Sequence, residues 1–358
     1  MIYIHVPFCA SFCTYCDFYS EIVREGMFES YGRQVCAEIR RRSGEIDDDL
    51  RTLYFGGGTP SVLPLSVLTQ ILLTLEDCGH GGPYTEFTME VNPEDIVEKG
   101  VGYVRSLRSL GVNRVSIGVQ SFDDGMLRWM HRRHDAARAR EAVRIVREAE
   151  IGNVSLDLIF GIRGLSDEVW EATVDEAAAL RLEHISCYQL TVEGKSTLAK
   201  MAAEGRYTEA SDEDCRRQYD ILCRKLSAAG YHHYEISNFA LPGYEAVHNG
   251  GYWSRHPYVG IGPAAHSFSG RGRSWNAAEL EGYTRTDEAL SVEDEKVETL
   301  MLSLRTDRGV DADFLHGNCR EKDIARLVDQ GALIRVGRRY RIPEDRFFTS
   351  DEIIRELI

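Results

Sequence analysis

Ile2-Tyr3-Ile4-His5-Val6-Pro7-Phe8-Cys9-Ala10-Ser11-Phe12-Cys13-Thr14-Tyr15-Cys16-Asp17-Phe18-Tyr19 runs from a short apolar segment directly into three cysteines spaced C-x-x-x-C-x-x-C. The segment Ile2 to Val6 reads as a strand, so the cysteines fall on the loop that leaves it. Three thiols within eight residues ask for a metal. The spacing suits three corners of a [4Fe-4S] cubane, a cluster normally held by four cysteine thiolates. With no fourth cysteine nearby one iron stays open, and an open coordination position is where a metal site binds a ligand. A structural zinc site is the competing reading, with His5 or Asp17 completing the set, but no second C-x-x-C pair exists to close it. Inert packed cysteines fit less well beside Pro7, Phe8, Phe12, Tyr15 and Phe18, which suggest an enclosed, dry site.

Outward from this loop, short β-rich runs alternate with longer helical patterns. Strands are expected at Ile2 to Val6, Thr52 to Phe55, Glu86 to Val91, Arg114 to Val119, Val154 to Phe160 and His184 to Leu190. Helical spacing marks Tyr31 to Arg42, Pro64 to Glu76, Ala136 to Glu148, Asp167 to Leu182 and Asp212 to Leu226. Six β-α units in succession predict a parallel sheet with helices outside it, either open or closed into part of a barrel.

In such folds functional residues gather at the carboxyl ends of the strands. That rule puts the cysteine loop, Gly56-Gly57-Gly58-Thr59-Pro60, Glu90 with Asn92-Pro93, Gln120, Asp157 and Tyr188-Gln189 on one rim. The glycine run lacks the ending of a phosphate loop and is not a dinucleotide fingerprint, so it is either a tight turn or a place where backbone approaches a ligand. Glu90, inside a strand, is costly unless paired, and a salt bridge at the rim is its plain explanation. Arg132 and Arg133 are equally readable as solvated charges at a helix end.

Composition narrows the function class. Lys and Arg number 42 against 57 Asp and Glu, a formal net charge of -15 that opposes phosphate-driven binding to nucleic acid. Beyond the loop, Cys36, Cys78, Cys187, Cys215, Cys223 and Cys319 form no disulfide framework, which is cytosolic usage. Val62 to Leu75, the longest apolar-rich run, is broken by polar residues and too short to span a bilayer. A soluble, cytoplasmic chain without membrane span or nucleic-acid partner is expected.

After the sixth unit the pattern changes. Tyr231-His232-His233-Tyr234 leads to His248-Asn249-Gly250-Gly251-Tyr252-Trp253, dense in aromatics and histidines, and then to Gly260-Ile261-Gly262-Pro263. A single histidine is most often a hydrogen-bonded structural residue, yet imidazole is also a common metal ligand and an axial ligand of heme. From about Ser291 a helical segment at Val297 to Thr306, a helix at Glu321 to Val328 and short strands near Ile334-Arg335 and Tyr340-Ile342 suggest a small α+β, winged-helix-like domain. The division expected is residues 1–230 for the barrel, 231–290 for an extension with the histidine motif and 291–358 for the small domain.

The C-x-x-x-C-x-x-C motif with Tyr15 before its last cysteine resembles that of the radical S-adenosylmethionine (SAM) superfamily. The string Tyr3 to Cys9 is similar to the branch holding oxygen-independent coproporphyrinogen III dehydrogenases and HemW-type heme chaperones. The resemblance implies a partial (β/α)6 barrel and a [4Fe-4S] cluster on Cys9, Cys13 and Cys16. It also implies SAM contacts by Tyr3, Tyr15, Gly57, Gly58, Thr59, Glu90, Gln120, Arg132 and Asp157. In this chemistry a reduced cluster gives an electron to the SAM sulfonium, releasing methionine and a 5'-deoxyadenosyl radical. Two segments depart from the branch: Gly161-Ile162-Arg163-Gly164-Leu165 where Gly-Leu-Pro-Gly-Gln is usual, and Glu193-Gly194-Lys195-Ser196-Thr197 where Glu-x-Gly-Thr is.

Phe18 chooses within the branch. The dehydrogenases resemble C-x-x-x-C-x-x-C-x-C, whereas Cys16-Asp17-Phe18 is the chaperone-like form. His248-Asn249 with Tyr252-Trp253 resembles the H-N-x-x-Y-W motif of the chaperones, implying heme with His248 as axial ligand. The expected partners are heme or a porphyrin, a recipient hemoprotein and a low-potential electron donor such as a flavodoxin or ferredoxin, with a homodimer left open. Oxidative decarboxylation of coproporphyrinogen III, or radical SAM methyl transfer, are the alternative activities.

Overall fold

The computed structural model describes every residue except 25 and 195, so Lys195 of the departing segment above lies outside the described residues. Nine strands form the main sheet: β1 (Ile2–Val6), β2 (Thr52–Gly57), β3 (Glu86–Val91), β4 (Arg114–Gln120), β5 (Asn153–Phe160), β6 (His184–Gln189), β7 (His232–Glu235), β8 (Asn238–Ala240) and β9 (Val259–Ile261). Their order is β9-β1-β2-β3-β4-β5-β6-β8-β7. β9 through β6 run parallel, while β8 and β7 close one edge antiparallel. The six expected strands are all present, Ile2–Val6 and Glu86–Val91 with the expected bounds and the other four with an end shifted by one or two residues.

The main crossover helices are α1 (Met27–Arg42), α2 (Leu65–Asp77), α3 (Pro93–Ser109), α4 (Asp124–Trp129), α5 (Ala136–Glu148) and α6 (Asp167–Ala179). Their caps are local chemistry: the side chains of Asp123, Asp135 and Ser166 accept the backbone N–H three residues on. α3 escapes the periodicity reading because Gly100, at φ 70°, breaks its helical path. β4 alternates strictly between two covered faces, one apolar and one polar. Val115, Ile117 and Val119 pack into the apolar core, while Arg114, Ser116, Gly118 and Gln120 face a central cavity. Inward residues of β2 to β6 line the same cavity, so the sheet curls into a partial barrel.

Three strands of the 231–290 segment join the large sheet, so the expected boundary at 230 falls within it. That segment adds α7 (Val247–Trp253) and a separate antiparallel sheet of His266–Phe268, Gly272–Asn276 and Arg285–Ala289. The C-terminal part holds a three-stranded antiparallel sheet and helices at Val292–Ser303, Ala312–Asn318 and Glu321–Asp329. Its first helix starts earlier than the periodicity suggests, because Ser291 and Asp294 form a reciprocal capping box. Among the described residues no helix is long and apolar enough to cross a membrane.

Candidate functional site

A cavity of about 830 Å³ opens at the carboxyl ends of the strands, within the size range of small-molecule sites. It gathers eleven of the thirteen candidate residues: Cys9, Cys13, Cys16, Tyr15, Gly57, Gly58, Thr59, Glu90, Gln120, Arg132 and Asp157. Tyr3 and His248 lie behind its wall.

The cysteine wall is wired to the rim. The Thr59 hydroxyl donates to Cys9 Sγ at 3.6 Å, and Asn92 Nδ2 donates to Thr59 Oγ1 at 3.1 Å. Arg132 donates from Nη2 to Asn92 Oδ1 at 2.7 Å and to the Gly118 carbonyl at 2.6 Å, and from Nη1 to Cys13 Sγ at 3.4 Å. One chain of hydrogen bonds therefore joins two of the three sulfurs. Arg132 is thus not a solvated helix-end charge; that description fits Arg133, which is exposed and reaches Glu94, Asp95 and Glu98 only at 3.8 Å. Burial works against the Arg132 charge, but Tyr15, Cys13 and Glu94 outweigh it and raise its pKa.

Burial also pushes the Cys9 thiol up, and pushes Cys16 up to about 12 against a hydrogen bond from the Phe18 backbone, with Cys13 and Cys9 adding to the rise. Without a metal these thiols hold their protons. Iron would have to displace them, which couples cluster binding to proton release. No three His, Cys, Asp or Glu side chains among the described residues are grouped tightly enough for a single ion. A cubane takes one thiolate per iron, so its ligands stand apart, and donors aimed at sulfur suit a cluster whose thiolates accept hydrogen bonds. The cysteine wall fits such a group.

The glycine loop is a close approach. A Cβ on Gly58 would lie 2.7 Å from the Phe8 carbonyl oxygen and 2.9 Å from that of Val6, and Gly57 sits at φ 110°, so the loop is pressed onto the backbone that leads from β1 into the cysteine loop. Gly57 N–H donates to Glu90 Oε2 at 3.0 Å and Tyr54 OH to Oε1 at 2.8 Å. Glu90 has no cation in salt-bridge range among the described residues, so the rim salt bridge is replaced by neutral donors. Burial raises its pKa to about 7, against the Tyr54 and Gly57 hydrogen bonds. Asp157 is likewise raised by burial, moderated by the hydroxyls of Ser186 and Ser116, the latter at 3.1 Å. Gln120 holds φ 70°, a left-handed conformation that turns it at the strand end into the cavity.

Behind the wall the picture is closed. Tyr3 OH meets His5 Nδ1 at 3.1 Å, and His5 Nε2 meets the Tyr19 carbonyl at 3.0 Å, tying the strand to the end of the cysteine loop. His248 has no solvent exposure. Its Nδ1 bonds Thr52 Oγ1 and its Nε2 bonds Tyr252 OH, both at 2.8 Å, and burial lowers its pKa to about 3. Asn249, the next residue of the motif, does line the cavity.

Residues outside the sequence-based set also belong to the site. Tyr54, Arg114, Ser116 and Ser186 line the cavity from mid-strand or the amino end of a strand, where the carboxyl-end rule does not look. Inward alternation from Glu90 and Asp157 was the signal available for Ser116 and Ser186.

A family model for the radical SAM superfamily matches residues 3–177, so barrel and cysteine loop together define a radical SAM protein. The heme chaperone HemW of Mycobacterium tuberculosis is 32% identical, with 100% of this chain and 94% of that one covered. HemW of Bacillus subtilis is 33% identical over 86% of this chain and 84% of the relative. The chain belongs to the HemW heme chaperone family. Among solved structures, the coproporphyrinogen III oxidase of Escherichia coli, a radical SAM enzyme, superposes with a TM-score of 0.82 over 99% of this chain and 89% of that one. At 21% identity it shares the fold alone.

Proposed function

We propose that this chain binds heme and delivers it to a recipient hemoprotein, with SAM held in the barrel cavity against a [4Fe-4S] cluster on Cys9, Cys13 and Cys16. The observation that carries the reading is the pairing of that hydrogen-bonded cysteine wall with Phe18, which stands where the decarboxylating relatives resemble a fourth cysteine and is 65% exposed. When bound, the cluster supplies the electron that cleaves SAM. The chain's residues bind and orient: Gly57, Gly58 and Thr59 present close backbone and a hydroxyl, and Tyr15 packs beside Arg132 and Cys13. Glu90, beside the glycine loop, and Gln120 and Asp157 offer acceptors along the cavity, where SAM ribose hydroxyls would be satisfied. Tyr3 acts from behind, through His5 and the cysteine loop.

Heme is the expected guest of the 231–290 segment, with the H-N-x-x-Y-W element as its motif and His248 as its histidine. In the conformation described, His248 becomes a ligand only after Nε2 leaves Tyr252. A flavodoxin or ferredoxin is the proposed electron donor and the cytoplasm the proposed compartment, while residues 291–358 serve docking or covering rather than DNA binding, given the acidic chain.

Anaerobic reconstitution with ferric heme and with coproporphyrinogen III in parallel tests this. Stable heme binding, with a Soret band, and no carbon dioxide release is the expected result. Decarboxylation of coproporphyrinogen III without heme binding would overturn it.

A further inference from the structure

Exposed apolar side chains scattered singly need no explanation, but several gathered at one place mark a binding surface. Among the described residues four large aromatic side chains stand exposed: Phe12, Phe18, Tyr188 and Tyr244. The first three line the barrel cavity, with 47%, 65% and 45% of their surface open. Phe12 and Phe18 sit on the cysteine loop, and Tyr188 stands near the end of β6, followed by Leu190, which lines the same cavity. Backbone holds this mouth together. The Leu198 N–H donates to the Thr14 carbonyl at 2.8 Å, which fastens the helix Thr197–Ala203 to the cysteine loop. None of the SAM contacts proposed above uses the three rings.

Charge adds a direction. Arg114, Arg132 and Lys200 are the lysines and arginines that line the cavity among the described residues. Arg132 is committed to the cysteine wall, and Arg114 is buried at the amino end of β4. Lys200, on the helix Thr197–Ala203, is exposed, and its ammonium meets no carboxylate within salt-bridge range among the described residues. Asp17 and Glu193 also line the cavity, so Lys200 is the exposed cation left to attract an acidic group.

A flat apolar body with a carboxylate edge matches this arrangement. Heme has that chemistry: a macrocycle whose faces stack on aromatic rings, and propionates that pair with a cation. Asn249 of the H-N-x-x-Y-W element lines the same cavity, so a guest there also meets the segment that carries the motif.

We infer that Phe12, Phe18 and Tyr188 form the face on which the heme macrocycle rests at the mouth of the barrel, with Lys200 pairing with a propionate. The inference rests on the heme reading above and concerns the macrocycle and its propionates rather than the axial ligand.

The test uses the full chain with its cluster reconstituted, titrated anaerobically with ferric heme, with ferric heme dimethyl ester, whose propionates carry no charge, and with SAM. The double variant Phe12→Ala/Phe18→Ala is expected to weaken heme and ester alike by roughly tenfold. Lys200→Glu is expected to weaken heme by roughly tenfold while sparing the ester. Iron content and SAM affinity should match the wild type in both, which reports an intact loop and fold. Wild-type heme affinity in either variant, or a loss of SAM affinity in place of heme affinity, would overturn the inference and leave the heme reading standing. Absence of heme binding by the wild-type chain would overturn both.

Discussion

The two ends of the barrel interior are built on opposite principles. At the carboxyl rim, polar groups point at sulfur or into open space: Thr59 on Cys9, Arg132 on Cys13, Gln120 and Asp157 toward the cavity. At the other end polar groups satisfy one another. Glu86 accepts the backbone N–H groups of Val247 and His248, His248 is held between Thr52 and Tyr252, and His184 between Ser155 and Tyr234. A closed network specifies the fold, and an open one awaits a ligand. Rim substitutions should therefore abolish cofactor binding at little cost in stability, and substitutions at the far end should do the reverse.

The largest expected effect is all-or-none. Cys9→Ala removes one of three thiols, and the reconstituted protein should carry no SAM-cleaving cluster by iron analysis and electron paramagnetic resonance. Without cluster its unfolding free energy should change by less than ~1 kcal/mol, since only a weak acceptor is lost. His248→Ala is the converse. It strands the hydroxyls of Thr52 and Tyr252 and leaves a buried void, at a cost of ~2–4 kcal/mol in chemical denaturation, with cluster loading retained. If both substitutions were to destabilise equally, the contrast between the two ends would collapse.

How much of this was legible follows the same division. The rim was readable because each strand end announces itself locally: cysteines, a glycine run, Glu90 before Asn92-Pro93. The far end was not, because its partners are remote. Glu86 meets Val247 across 161 positions and Thr52 meets His248 across 196, and no local pattern encodes such pairings. The same holds for Asn92 and Arg132, 40 residues apart, whose bond turns an ambiguous arginine into a member of the cysteine wall. Short strands such as Asn238–Ala240, which extend the sheet past the expected domain boundary, depend on edge pairing rather than on periodicity.

pH sharpens the comparison through two buried glutamates. Burial raises Glu90, on the cavity, to about 7, and Glu235, outside it, to about 8. Both values lie above the unfolded value of about 4.3. The native state thus holds protons that the unfolded state has released, so these groups favour folding fully below about pH 4.3 and that contribution is lost as pH rises through 7 or 8. The two shifts correspond to at most ~4 kcal/mol for Glu90 and ~5 kcal/mol for Glu235 over that window. Glu90→Gln and Glu235→Gln should each flatten the fall in stability between pH 5 and 8 in denaturant titrations. Only Glu90→Gln should also weaken SAM binding, by roughly tenfold, since only it removes an ionisable acceptor from the cavity. Equal loss of SAM affinity in both variants would mean that Glu90 acts on the fold and not on the ligand.

Gln120 gives the smallest effect and the finest division between fold and function. Its φ of 70° is the kind of backbone glycine adopts freely, and its neighbours hold it there at the end of β4, where the register against β5 shifts between Gly118 and Gln120. Gln120→Gly relieves that conformation while freeing the unfolded chain, two terms that oppose each other, so the net change in stability should stay within ~1 kcal/mol. The side chain, however, lines the cavity. Calorimetric SAM titration of the cluster-loaded variant should therefore show weaker binding with unchanged melting behaviour, the pattern of a backbone bent to aim a side chain; unaltered affinity would assign the bend to the sheet alone.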